Sequence, residues 1–411
     1  MAKIKPFKAY RPALGLEDKI AALPYDVYNR AEAKVVVENN PLSFLGIDRA
    51  ETHFPDDVST YDDKVYDKAN ELIQEWIKDG KFIQDKKECY YLYQEEWRGR
   101  KQTGIVGCAS IDDYENKVIK KHENTLAAKE QDRINHIDRT NMQTGPIFLS
   151  FCSNDSIDSF MNDYIKKNPV YDFTSDDEVT HRVWIIDNDE DIAFVRECFE
   201  KMDAIYIADG HHRCASAVKV GLKRRAEGRS NGNSESDFFM SVLFPDNQLE
   251  IMDYNRVLKD KADKSSEELL SLIGKYCDIE KKDGQYKPQA KGEVGMYMDG
   301  TWYKLSFKKE FVSDDAVDGL DVAFLQKYIL DGIWGIKDPK TDSRIDFVGG
   351  IRGLNELERR CSLDCKVAFA MYPTSISELF AVANEGRLMP PKSTWFEPKL
   401  RSGIFLHDIK A

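Results

Sequence analysis

The chain has 411 residues, too many for one small module and enough for two or three domains at ~150 residues each. Asp plus Glu outnumber Lys plus Arg by 72 to 59, and the net charge of −13 argues against a surface built for the nucleic-acid backbone. No run of ~18 apolar residues could span a membrane, and Met1 to Pro12 lacks the apolar stretch of a secretory signal, so a cytoplasmic protein without nucleic-acid or membrane partners is expected.

Lys5 to Asn40 is densely punctuated by Pro24-Tyr25-Asp26 and Asn40-Pro41, and reads as irregular chain on a core with a helix near Arg30 to Glu38. Tyr61 to Asp79 places Val65, Ala69, Ile73 and Trp76 on one helical stripe, and Gly80 suits its stop. Cys89 to Glu96 and Gly104 to Ile111 read as a hairpin around Arg98-Gly99-Arg100. Lys120 to Gln143 is polar and reads as a binding segment. Strands follow at Pro146 to Phe151, Arg182 to Ile186 and Ala204 to Ala208, with helices at Ile157 to Lys166, Asp191 to Lys201 and from His211. Asp187 to Asp191 lacks the glycine of a calcium loop and is expected to cap the next helix.

Gly228 to Ser236 is a Gly/Asn/Ser-rich loop, which suggests lobes at residues 1–235 and 236–411. Beyond it, strands are expected at Phe238 to Phe244, Leu249 to Tyr254, Ile345 to Val348 and Lys366 to Met371, with a hairpin over Asp299-Gly300. Helices are expected at Ser265 to Tyr276, Val322 to Leu330 and Ile376 to Asn384. Regular βαβ spacing is not sustained, so the expected class is α/β with mixed α+β sheets. The eight scattered cysteines form no Cys-x-x-Cys and suggest reduced, buried thiols.

Three segments can carry chemistry. In the first, an apolar strand runs into Asp209-Gly210-His211-His212-Arg213 and a helix. A helix start attracts anions, Gly210 allows close backbone approach, and Arg213 can grip phosphate with two donors. His211 and His212 can donate to phosphate or move a proton, and Asp209 can orient a histidine or hold a metal. The second is His122-Glu123, a carboxylate beside an imidazole suited to acid–base work, followed by Lys129 and Arg133. Those two cations are four apart and share a face if the segment is helical. The third is Met389-Pro390-Pro391-Lys392-Ser393-Thr394, a stiffened loop presenting Lys392 and two hydroxyls. Walker, dinucleotide-fold and nucleophile-elbow signatures are absent.

Together with Arg11-Pro12, Pro24-Tyr25-Asp26-Val27, Asp132-Arg133, Gly145-Pro146, Asn255-Arg256 and Pro398-Lys399, these motifs resemble a widespread prokaryotic family of unknown function, often labelled ParB-like. The resemblance covers essentially the whole chain. It implies a ParB-like core with an additional mixed α/β lobe. Asp209 to Arg213 also resembles the phosphate-binding motif shared by ParB and sulfiredoxin, which makes Gly210, His212 and Arg213 phosphate binders. One branch of that superfamily phosphorylates free serine, so the resemblance implies serine or phosphoserine chemistry. No cysteine precedes His212-Arg213, which disfavours sulfiredoxin chemistry, and the charge disfavours DNA partition.

The expected function is therefore phosphotransfer between a nucleotide (ATP, ADP or CTP) and a small anionic or hydroxylated metabolite. Glu123, His122, His212 and Asp209 would serve catalysis. Gly210, His211, Arg213, Lys129, Arg133 and Lys392 would bind phosphate, and Mg²⁺ would bridge it with Asp209 as ligand. A nucleotide-independent phosphatase for phosphoserine and a nucleotide-binding switch are the alternatives.

Overall fold

In a computed structural model describing Met1 to Lys410, the chain divides into two compact units. The first is Met1 to Leu249 together with the segment from Pro398 onward, and the second is Glu250 to Glu397. The class is mixed α/β, as the sequence indicates.

The first unit is built on a nine-stranded sheet. Its strands are β1 (Ile4–Lys5), β2 (Tyr90–Trp97), β3 (Arg100–Ser110), β4 (Ile119–Lys120), β5 (Ile147–Phe151), β6 (Tyr171–Thr174), β7 (Thr180–Ile186), β8 (Ile205–Asp209) and β9 (Phe238–Pro245). The order is β4-β8-β5-β9-β3-β2-β7-β6, with β1 on β3. Two neighbouring pairs, β4 with β8 and β5 with β9, are parallel, and the other pairs are antiparallel. Positive φ at Arg98 and Gly99 closes the tight β2–β3 turn, in the sense that matches strand twist. Asn188 caps the helix Asp189–Glu200 by accepting from Glu190 and Asp191 amides, so the acidic stretch there is a helix cap.

The Gly228–Ser236 loop does not separate the units, because β9 after it inserts between β5 and β3. The division falls at Leu249 and Glu250. The last segment then returns to the first unit. Leu406 pairs with Tyr10, Ser402 with Ala22 and His407 with Gln143. Arg401 anchors it with both Asp177 oxygens at 2.5 Å and His181 Nε2 at 3.2 Å. Gly403 adopts φ +82, and a Cβ there would meet the Phe44 ring carbon at 2.6 Å, so only glycine fits this crossing.

The second unit holds a six-stranded antiparallel sheet. In chain order its strands are β10 (Tyr254–Leu258), β11 (Cys277–Lys282), β12 (Glu293–Met298), β13 (Thr301–Phe307), β14 (Ile345–Gly349) and β15 (Val367–Met371), ordered β11-β13-β12-β15-β10-β14. The strand expected over Leu249 to Tyr254 is instead broken at Asp253. The Asp253 side chain accepts from Asn255 at 2.6 Å and its carbonyl from Gly350 at 2.7 Å. The expected helix at Val322 to Leu330 is a short α-helix that loosens into a π-helical turn over Leu325–Asp331. No helix of the described residues is long and apolar enough to cross a membrane.

Candidate functional site

The parallel pairing of β4 and β8, with Tyr206 opposite Lys120, sends both chains out at the same sheet edge. The two polar motifs follow immediately, so His122-Glu123 and Asp209 to Arg213 become neighbours. Carboxyl ends of adjacent parallel strands are a common place for ligand crevices. The His122 and His211 rings pack edge to face, 4.5 Å between centroids.

Gly210 turns the chain with φ +89 and serves as N-cap of the helix His211–Ala226. The first turn of that helix contains no acidic residue to occupy its positive end. The Arg213 guanidinium folds back over the turn, and a Cβ on Gly210 would lie 3.1 Å from Arg213 Nε. Arg213 Nη1 donates to the Pro146 carbonyl at 2.6 Å, and Nη2 lies 3.6 Å from Asp209 Oδ2. Lys399 Nζ approaches the same oxygen at 3.4 Å. Burial works to raise the Asp209 carboxyl, but Lys399 and Arg213 outweigh it and hold it at about 2.

The histidines divide by role. Burial pushes His122 down to about 4 and takes His211 well below its ordinary value. Both are therefore neutral at pH 7. His211 Nε2 is buried with no hydrogen-bond partner among the described residues. His212 Nε2 accepts from the Leu126 amide at 2.9 Å, which selects a neutral ring protonated on Nδ1 and ties residues 122–126 to the helix. Glu123 is half-buried in this tied segment.

The segment after Glu123 folds as the helix Ala127–Thr140, so Lys129, Arg133 and His136 share a face. They line a cavity of about 280 Å³ with Tyr25, Asp48 and Asp132. A smaller cavity of about 30 Å³ shares Tyr25, Asp48, Arg133 and His136 as walls and reaches Gly145, Ser402 and Arg213. Arg133 stacks on Tyr25, Cζ 4.0 Å from the ring centroid, and its Nη2 pairs with Asp132 at 2.8 Å. Burial opposes the Arg133 charge, but Asp132, Tyr25 and Asp48 outweigh it and keep the guanidinium ionised. Asp48 is buried and accepts from Thr144 Oγ1 at 2.7 Å.

Lys392 lies in the second unit, at φ +59. Its carbonyl accepts from the buried Arg256 at 3.0 Å, and Ser393 Oγ bonds the Pro390 carbonyl at 2.6 Å, which fixes the loop. Sequence reasoning did not select Lys399, Asp48 or His136 as site residues. Lys399 stands in a motif that carried the resemblance, and His136 continues the Lys129–Arg133 helical stripe. Asp48 has no local signal. Among the described residues no group of three His, Cys, Asp or Glu is arranged for a metal ion.

Residues 4–323 match the model of DUF1015, a protein family of unknown function. The chain belongs to that family. No curated protein matches this family member significantly. Among solved structures it is similar to C-terminally truncated SbnI from Staphylococcus aureus, at 12% identity and TM-score 0.39, over 72% of this chain and 84% of that one. It is also similar to a free serine kinase in complex with AMP, at 12% identity and TM-score 0.36, over 71% and 86%. A conserved hypothetical protein from Pyrococcus furiosus aligns at 13% identity and TM-score 0.34, over 72% and 92%.

The neutral histidines set a pH dependence of stability. The unfolded chain takes a proton on each histidine near 6.5, whereas folded His122 and His136 resist until about 4. The unfolded state therefore binds more protons between those values, and stability falls as pH drops through that window. Melting temperature measured from pH 7.5 to 4 should decline on the acid side, less steeply in His122→Asn. A flat profile would contradict buried, neutral imidazoles.

Proposed function

We propose that this protein is a phosphotransfer enzyme that holds nucleotide phosphates at the start of the helix His211–Ala226 and a small charged, hydroxylated metabolite in the adjoining cavity. The observation that carries the reading is the convergence at Gly210. Arg213 folds over the glycine-turned helix start, Arg213 and Lys399 both approach the Asp209 carboxylate, and His211 at the first helical position keeps a buried Nε2 with no hydrogen-bond partner among the described residues. Helix-end amides and fixed cations favour a transferring phosphoryl group.

Asp209 is already flanked by Lys399 and Arg213, so its first role is to aim those two cations. A magnesium ion needs only one or two protein carboxylates when it travels on phosphates, and Asp209 could supply one. Such an ion would neutralise phosphate charge. His122 and His211 stay neutral and pack edge to face, while His212 fastens the Glu123 segment in place. That leaves Glu123 as the general base that takes the acceptor hydroxyl proton. In the larger cavity, Arg133 and Lys129 suit a carboxylate, while Asp48 suits an ammonium group. Serine combines those three functions, and phosphoserine would be its product or, in reverse, the donor.

The direct test incubates the protein with serine and ATP, or phosphoserine and ADP, with and without magnesium, and follows phosphorus species by NMR. Transfer should occur, and Glu123→Gln should lower kcat by roughly 10²- to 10⁴-fold while nucleotide still binds. Inorganic phosphate released from phosphoserine without nucleotide would identify the phosphatase instead. Tight nucleotide binding without turnover would identify a switch.

A further inference from the structure

A cavity of about 460 Å³ lies within the second unit, bounded by the Lys291–Glu293 turn, the end of β13 and the start of the short helix Asp321–Phe324. Asp321 is only 8% exposed on its wall. It receives one hydrogen bond, from the Gly292 amide at 2.9 Å, and has no ion-pair partner among the described residues. The nearby Lys291 ammonium is held by Glu378 at 2.5 Å, and Glu293 is matched by Lys304 at 2.6 Å. A buried carboxylate ordinarily carries a cation or several donors, so this one is left with charge to satisfy. Beside it, Phe307 and Phe324 stack at 3.7 Å, and with Leu320 they form an apolar wall.

We propose that this cavity binds a small organic ammonium ion, with its charged head on Asp321 and its apolar body against Phe307, Phe324 and Leu320. The volume lies in the range of small-molecule sites rather than of a macromolecular groove. The lining carries Glu293, Asp318 and Asp321 against Lys291 alone, so its field selects a cation. A hard metal ion would ask for more oxygen ligands than Asp321 provides. This site is independent of the proposed phosphotransfer.

The charged groups around Asp321 are Lys291 and Glu293 on the turn, Glu378 on the packed helix and Asp318 in the preceding loop. Burial raises the Asp321 carboxyl to about 6, against the pull of the Gly292 amide and Lys291. The carboxylate is therefore charged at pH 8 and mostly protonated at pH 5.

Calorimetric titration of the full chain with phenethylammonium chloride tests the site, with the neutral 3-phenylpropanol as control. Saturable binding of the ammonium is expected at pH 8, at least tenfold weaker in Asp321→Asn, at pH 5 and for the alcohol. Melting of Asp321→Asn confirms its fold, and the pH arm uses the unaltered protein. Absence of saturable ammonium binding, or equal binding by the variant or of the alcohol, overturns the proposal.

Discussion

Arg213→Ala should lower kcat/KM for phosphoryl transfer by roughly 10²- to 10³-fold, the scale of removing one preorganised donor from a developing charge. Arg213 is held on two sides, by the Pro146 carbonyl at 2.6 Å and by Asp209 at 3.6 Å. Its guanidinium therefore waits over Gly210 without needing to be ordered when phosphate arrives. Arg213→Lys should recover little, because a single ammonium cannot reach the carbonyl, the carboxylate and a phosphate together. The cost in stability should be only about 1–2 kcal/mol, since one carbonyl loses its donor. Steady-state kinetics, nucleotide titration and thermal melting separate these effects. Wild-type kcat/KM in Arg213→Ala would remove the Gly210 turn from the mechanism.

How much of this site is legible in the chain depends on the distance over which each residue finds its partners. Ile205 to Asp209 is a buried strand followed at once by a glycine and three polar residues, a local pattern that reveals both the turn and the helix start. Lys129 and Arg133 are equally local, since helical spacing alone puts them on one face. His122 beside His211 is not local. It depends on β4, a two-residue strand too short to show periodicity, which pairs with a strand more than eighty residues away. Lys399 depends on a segment that rejoins the first unit after the whole second unit has been traversed. Asp48 is an acidic residue in an otherwise apolar turn, and only Thr144 and Arg133, brought by the fold, explain it.

The second unit shows the same rule in its elements. The hairpin over Asp299-Gly300 is written in its turn residues, both at positive φ. The strand Cys277–Lys282 is polar on most positions because it is the edge of its sheet, so no apolar alternation marks it. The helix Gly353–Leu363 begins at a glycine without a side-chain cap and buries only Leu357, so neither of the usual signals is present.

Arg133→Met should destabilise the protein by about 3–5 kcal/mol, the usual result of removing one member of a buried charge pair. Methionine keeps the volume against Tyr25 but leaves Asp132 and Asp48 without their nearest cation. Asp132 retains the Tyr66 hydroxyl at 3.0 Å and Asp48 retains Thr144 at 2.7 Å, so the variant should still fold. Adding Asp132→Asn removes one of the two uncompensated charges and should return a large part of the lost stability. It should not return substrate binding, because the carboxylate of the metabolite would still lack its partner. The double variant thus separates the two roles of one side chain. Its melting temperature should rise toward the parent's, while KM for the metabolite stays at least tenfold high and nucleotide affinity stays near that of the parent. A double variant that regained both stability and KM would place the metabolite outside the Tyr25–Arg133 cavity, even if the Gly210 turn still held phosphate.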